Sequence, residues 1–213
     1  MMLQYLLLCV LATGAFASDD GDADRYMDNV LSNYLPEIMK RDHLQYPVLP
    51  PFDVMLHEDD KQPIAFHKGI LFGLMQGLRR SGDCVPPKWF RANVTFGCYL
   101  GIDDLRAHYD VSSERDEDKR NFTADLLAEN TKMWVLLTQR KPRPVFVKVH
   151  MHHLDLTVHL SHEPKLDKDK LKWFINAVDF SVEGRITDLL TGPFRTALEE
   201  SVKTLPIPLP SLR

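Results

Sequence analysis

The feature that most constrains this chain is a series of stretches in which apolar and polar residues alternate. Residues 93–102 are apolar at every second position from Val94 to Ile102, and residues 105–111 repeat the pattern from Leu105 to Val111. A period of two residues is that of a β-strand with one buried face. We therefore expect a sheet with one apolar face and one solvated face.

The same two-residue alternation predicts about seven consecutive strands. The others are expected at residues 68–78, 121–128, 132–139, 145–160 and 170–182. Consecutive strands joined by short turns favour an antiparallel meander. Such a sheet leaves an apolar face that other elements must cover.

The stretch Val145–Leu160 departs from strict alternation. Its apolar positions are odd as far as Met151 and even from Leu154 onward. A slip of one residue would turn half of the strand to the wrong face. A β-bulge near His152 and His153 would restore the face and bend the strand, which predicts a sharply curved sheet.

Two amphipathic helices flank the strands. Asp24–Arg41 carries apolar residues at three- and four-residue spacings, with Pro36 predicting a kink or break. A last helix is expected from about Thr187 to Thr204, with Pro193 starting or kinking part of it. Helices at both chain ends that cover one sheet give an α+β fold class.

The chain begins with an apolar segment, residues 1–17, that ends in Ala15-Phe16-Ala17 before two aspartates. This pattern predicts a cleaved signal peptide, hence a secreted, extracellular protein. Residues 18–213 are then expected to form a single domain, with a flexible acidic start at 18–23 and a proline-rich tail at 205–213.

Two cysteines remain after the signal, Cys84 and Cys98. In an oxidising compartment they suggest a disulfide that closes a loop of about 15 residues and contributes about 3 kcal/mol. Two unpaired buried thiols are the alternative. The sequons at Asn93 and Asn121 predict glycosylation on solvent-facing positions of their strands.

Evidence for reaction chemistry is sparse. His150 and His152, with Asp155 or His159 as a third ligand, could hold a metal on one strand, but a solvated polar face explains these residues without a metal. The sequence has no Gly-x-Ser-x-Gly elbow and no phosphate-binding glycine loop. With a net charge of −4 there is no overall basic field for nucleic acid. We expect a non-enzymatic protein without cofactor, catalytic residues or metal site.

The segment Lys68–Cys84 is punctuated by glycines at positions 69, 73 and 77 and ends in an Arg-x-Gly-Asp turn. With the order helix, strands, helix over residues 22–204, it resembles the mite group 7 allergens and their tick relatives. More distantly it is similar to takeout and juvenile-hormone-binding proteins. The takeout family has an early cysteine pair that this chain lacks, so the group 7 relation suits it better.

The resemblance implies a tubular lipid-binding fold, in which a strongly curved antiparallel sheet wraps around a long C-terminal helix, as in one half of the bactericidal/permeability-increasing proteins. It further implies a secreted carrier that binds a lipid, fatty acid or isoprenoid in an apolar cavity, without stable insertion into a membrane. The residues expected to line the cavity are Phe72, Leu74, Phe96, Leu100, Tyr109, Phe194 and Leu198.

A different class of function stays open. An extracellular interaction protein could bind a bacterial lipopeptide, lipopolysaccharide or a protein partner through its surface, as in innate immunity or at a host surface. The sequence feature in its favour is a local basic cluster at Arg140, Lys141, Arg143 and Lys148. A solvated loop between two strands would explain the same residues.

Overall fold

The structure is a computed structural model that describes residues 21–56, 63–113, 120–140, 145–203 and 205–210. The predicted signal peptide, residues 1–17, lies outside the described residues. Of the basic cluster noted above, Lys141 and Arg143 also lie outside them.

Helices form both ends of the described chain. The N-terminal helix consists of α1 (Asp22–Asn29), a π-helical turn (Val30–Tyr34) and α2 (Leu35–Arg41). The C-terminal helix consists of α3 (Lys168–Leu189), a π-helical turn (Leu190–Phe194) and α4 (Arg195–Val202), 35 residues in all. Pro36 follows one π turn and Pro193 lies within the other, so both prolines mark helix irregularities as expected.

Between the helices, the described residues form twelve strand segments. The first six are β1 (Val48–Leu49), β2 (Phe52–Val54), β3 (Ile64–Phe66), β4 (Gly69–Phe72), β5 (Leu78–Arg80) and β6 (Val85–Phe90). The last six are β7 (Asn93–Ile102), β8 (Leu105–Ser113), β9 (Arg120–Glu129), β10 (Thr131–Gln139), β11 (Val145–Met151) and β12 (Asp155–Leu160).

The strands form two antiparallel sheets. The seven-stranded sheet contains β1, β2, β3, β4, β8, β9 and β12, and the five-stranded sheet contains β5, β6, β7, β10 and β11. Three long strands contribute to both sheets, because β7 leads into β8, β9 into β10 and β11 into β12 with only one to three residues between them. The α+β fold class with a bent antiparallel sheet is confirmed.

The passage between the sheets is a corner at which each of the three long strands changes its inward-facing parity. In the long strand formed by β7 and β8, the inward-facing residues have even numbers as far as Ile102 and odd numbers from Leu105 onward, with two exposed residues between them. The long strand formed by β9 and β10 makes the same change between Ala128 and Thr131. Both sheets therefore direct their apolar faces at one interior.

The long strand formed by β11 and β12 changes parity between Met151 and Leu154, where the sequence predicted a β-bulge. The change of parity is present, but the predicted bulge is wrong as its cause. Met133 faces Met151 on one side of the corner and Glu129 faces Asp155 on the other, so three residues oppose three and none is inserted. The paired long strand, β9–β10, changes parity at the same place, so each residue still faces one partner.

The corner requires unusual backbone conformations. Asp104 and Asn130 have positive φ values of 56° and 53°, a region that Asp and Asn tolerate better than most residues. The glycine-rich segment packs directly on this bend. A Cβ on Gly77 would lie 1.9 Å from the carbonyl oxygen of Asp103, and one on Gly73 would lie 2.4 Å from that of Asp104.

The expected strand at 68–78 is therefore shorter than predicted. It ends at Phe72 because Gly73 has a φ of +88°, and residues 73–77 form a turn before β5 begins. Leu71 faces the core instead of Ile70, which is exposed. The glycines serve close backbone contact at the corner and do not continue the strand.

The strand expected at 170–182 is also wrong, since these residues belong to α3. The side chain of Asp167 caps the helix by accepting a hydrogen bond from the amide of Lys170 at 2.9 Å. Its buried residues recur every four positions and continue through α4 as Phe174, Val178, Val182, Ile186, Leu190, Phe194, Leu198 and Val202. This stripe packs on β12, β2 and β1 first, and then on β11.

The cysteines form the predicted disulfide, Cys84–Cys98, which joins the start of β6 to the middle of β7. Asp24 of α1 accepts a hydrogen bond from the Cys84 amide at 2.7 Å. Asn93 is half-buried and Asn121 is exposed.

A polar contact fixes the third strand of the corner to α3. His153 Nδ1 lies 2.8 Å from Glu183 Oε1, which also accepts the Leu154 amide at 3.0 Å. One helical turn earlier, the buried Oδ1 atom of Asp179 has no hydrogen-bond partner among the described residues. Burial raises the pKa of Asp179, and the nearby charge of Glu183 raises this pKa further.

The close contact at the corner predicts that Gly77→Ala destabilises the protein. A methyl group there meets backbone, which cannot rotate away, and we expect a loss of about 2 kcal/mol in the free energy of unfolding. Urea denaturation checks this against Gly184→Ala, where the added methyl meets no atom within 4 Å. That helical control should gain about 1 kcal/mol. Equal effects of the two substitutions would contradict the packing described.

The partly buried carboxyl of Asp179 predicts that Asp179→Asn stabilises the protein at neutral pH. The folded-state pKa of Asp179 is raised above the unfolded value of 3.8, so the wild-type protein loses stability as the pH rises through that folded-state pKa. Asparagine does not titrate, so the variant should gain most at pH 7 and progressively less toward pH 4. Urea midpoints of both proteins across this range measure the difference, and a pH-independent difference would refute it.

Candidate functional site

An open cleft of about 760 Å³ lies between α3 and the chain segment that follows β2. Its volume falls within the range of ligand pockets in proteins. The residues that line it are Asp53, Val54, Met55, Leu56, Asp169, Lys170, Trp173, Ala177 and Ser181. Apolar side chains form most of this surface, and the charged residues are Asp53 on β2 and Asp169 and Lys170 at the start of α3.

One wall of the cleft is a face of α3. Trp173, Ala177 and Ser181 are spaced by four residues and therefore lie on one side of the helix. The adjacent residues Phe174 and Val178 are buried and face the sheet. Trp173 itself is 49% exposed, so a large aromatic surface remains available to a ligand.

The opposite wall is held in place by Arg185 of α3. Its Nε donates to the carbonyl oxygen of Pro50 at 3.0 Å, and its Nη2 donates to that of Pro51 at 3.1 Å. The guanidinium also lies over the ring of Phe52, 4.4 Å from its centroid. One side chain therefore ties the segment before the cleft to the helix that forms the other wall.

An aromatic cluster lies behind this wall. Phe52 stacks on Phe66 with ring centroids 4.4 Å apart and meets Tyr109 edge-on at 5.3 Å. Burial raises the pKa of Tyr109, so its hydroxyl stays protonated at physiological pH. The cluster gives the cleft a rigid apolar backing.

The charged groups at the cleft are unevenly balanced. Asp53 and Asp169 contribute two carboxylates, whereas Lys170 contributes one ammonium group. Lys170 Nζ is also 3.5 Å from Asp167, whose pKa is lowered by the hydrogen bond from the Lys170 amide. The cleft therefore offers little net attraction to an anionic headgroup.

Six of the seven residues expected to line a cavity are buried in the interior, and none of the seven is among the described residues that line this cleft. Those that are buried are Leu74, Phe96, Leu100, Tyr109, Phe194 and Leu198. Phe72 is half-buried, with the guanidinium of Arg106 5.1 Å from its ring centroid. Tyr109 comes nearest to the cleft through its contact with Phe52. A ligand role for all seven stays a prediction.

The histidines are dispersed by the corner. His150 lies on β11 and faces Trp134, His152 lies against the ring of Tyr99, and His159 faces Asp125 on β9. Among the residues that the structure describes, no three His, Cys, Asp or Glu side chains form a group suited to a metal ion.

The cleft residues were missed in the sequence because residues 170–182 were interpreted as a strand. The spacing of Trp173, Ala177 and Ser181 would have indicated one face of a helix. The capping Asp167 before this segment was a second available signal. No local sequence pattern indicates that Val54 and Met55 lie opposite that face of the helix.

Comparison with known proteins finds weak sequence and structural similarity. No protein-family model matches the chain. The Salivary anticoagulant protein P23 of Ixodes scapularis is 23% identical over 138 residues, which are 60% of this chain and 59% of that protein. The chain thus aligns with less than two thirds of that relative.

Two solved structures also match this chain. A crystal structure of lipopolysaccharide binding protein has a TM-score of 0.44 at 17% identity, covering 89% of this chain and 41% of that one. Takeout 1 of Epiphyas postvittana has a TM-score of 0.31 at 14% identity, covering 83% and 86% respectively. A takeout protein and a lipopolysaccharide binding protein are therefore among the structures to which this chain is similar.

Proposed function

We propose that this protein is a secreted, non-enzymatic carrier that binds a lipid or other small hydrophobic molecule in the cleft between α3 and residues 53–56. The observation that carries the proposal is the combination of the cleft's volume with the exposed apolar surfaces of Trp173 and Met55. A large apolar surface that stays in water is costly unless a ligand covers it.

The charges favour an uncharged ligand. A fatty acid would bring its carboxylate to a cleft that already holds Asp53 and Asp169 against a single Lys170. A long-chain or isoprenoid alcohol avoids that repulsion, and its hydroxyl can still donate a hydrogen bond to a carboxylate. An uncharged isoprenoid or lipid is the class that fits both the apolar walls and the acidic residues.

Secretion is part of the same proposal. The Cys84–Cys98 disulfide suits an oxidising compartment. Asn93 and Asn121 are proposed as glycosylated positions. None of the described helices is long and apolar enough to span a membrane.

The proposal predicts binding that strengthens with the length of the apolar chain. Burial contributes about 0.8 kcal/mol per CH₂ group, so dodecanol should bind about fifteenfold more tightly than decanol. Displacement of the fluorescent dye Nile red measures both affinities, with dodecanoate as the charged comparison. Dodecanoate should bind more weakly than dodecanol, and affinities independent of chain length would refute apolar binding.

Matched variants locate the site. Ala177→Phe places a larger side chain in the cleft and should weaken dodecanol binding at least tenfold, because it occupies the apolar volume. Trp173→Ala should weaken binding by removing the exposed ring. Trp89→Ala is the control, since Trp89 is 57% exposed on β6 and does not line the cleft. Unchanged affinity in both cleft variants would contradict the assignment.

A further inference from the structure

Charge is segregated between the two sheets. The five strands β5, β6, β7, β10 and β11 contain no aspartate or glutamate, although the chain has a net charge of −4. The seven-stranded sheet contains five acidic residues, Asp53, Asp110, Asp125, Glu129 and Asp155. The five-stranded sheet is therefore a local basic surface on an acidic protein.

The cations of this surface are exposed on its strands and on the turns at its end. They are Lys88, Arg91, Lys132, Arg140 and Lys148. Among the described residues, none of these five forms an ion pair with a carboxylate. Arg79 and Arg80 of β5 differ, because Asp103 and Asp28 pair with them.

Large apolar side chains are exposed among these cations. Phe90 and Phe146 are each nearly 60% exposed, and Tyr99 is 41% exposed. The pairing places Lys88 beside Thr95, Thr95 beside Thr138, and Thr138 beside Phe146 across the outer surface. The outer face of the five-stranded sheet, with the turn at Arg91, is called the basic face below.

A groove of about 490 Å³ opens on the basic face. Its walls include Trp134, Leu136, Lys148, His150 and Arg195. The ring of Trp134 lies over Gly97, where a Cβ would come within 2.1 Å of it, so the glycine lets the indole lie against the sheet. Arg195 pairs with Glu199 at 3.2 Å, which leaves Lys148 as the cation available to an anion.

We propose that the basic face docks on the surface of an anionic phospholipid bilayer, with Phe90 and Phe146 at the interface and a lipid phosphate near Lys148. Exposed aromatic rings prefer the interfacial region of a bilayer, and unpaired cations are attracted to anionic headgroups. A nucleic acid or a sulfated polysaccharide would use the cations but would leave Phe146 in water. A bilayer accounts for both kinds of side chain.

This docking is independent of the cleft, which lies on α3 beside the seven-stranded sheet. Asn93 pairs with Phe90, so a glycan at Asn93 would stand on the basic face itself. Binding is therefore measured on the secreted full chain both before and after removal of its N-glycans. Binding by either form supports the proposal, and binding by neither form overturns it.

The test is sedimentation with vesicles of phosphatidylcholine containing about one-third phosphatidylserine, compared with vesicles of phosphatidylcholine alone. We expect binding to the anionic vesicles only, and its loss at 0.5 M salt. Neutralising one cation near an anionic membrane weakens binding about fivefold, so Lys88→Gln with Lys148→Gln should weaken it about twentyfold or more. Equal binding to both vesicle types would overturn the proposal, as would binding to heparin without binding to vesicles.

Two controls match the substitutions in chemistry. Lys168→Gln with Lys172→Gln removes the same charge from exposed positions of α3 and should leave most of the binding intact. Phe90→Ser with Phe146→Ser should abolish vesicle binding, whereas Phe180→Ser should not, although Phe180 is 78% exposed. Ala177→Phe should retain vesicle binding, which separates this proposal from the cleft. Equal losses in the basic-face variants and their α3 controls would overturn it.

Discussion

The change of inward-facing parity at the corner is the constraint on which this structure depends. Three long strands pass from one sheet to the other, and each reverses which of its residues face inward as it does so. Without that reversal, one half of every strand would expose its apolar side chains. Because all three strands reverse, their pairing stays in register on both sides. The two sheets can then enclose a single C-terminal helix.

The C-terminal helix packs against both of the sheets that the corner joins. Its four-residue stripe of buried side chains packs first on the seven-stranded sheet and then on the five-stranded sheet. Its other faces stay exposed near the start of α3, where Trp173 and Ala177 line the cleft. The helix thus supplies both the core of the fold and one wall of the candidate site. Arg185 links the two roles by binding the carbonyl oxygens of Pro50 and Pro51.

Local patterns predicted much of this fold and little of the site. Two-residue alternation identified most long strands, and the slip at Met151 indicated the bend. A bulge was the wrong explanation because the matching slips in the other two long strands can be recognised only once the strand pairing is known. Residues 170–182 were misread because exposed Trp173 and Phe180 obscure the helical stripe. The cleft joins residues 53–56 to α3, and no local pattern reports so distant a contact.

The central claim is that the cleft carries an uncharged hydrophobic molecule. The most direct measurement is native mass spectrometry of the protein secreted from eukaryotic cells, followed by lipid extraction. The account predicts one uncharged lipid or isoprenoid per wild-type chain and its loss from Ala177→Phe. A wild-type protein that emerges free of lipid, or an Ala177→Phe variant that retains the same molecule in full, would contradict it.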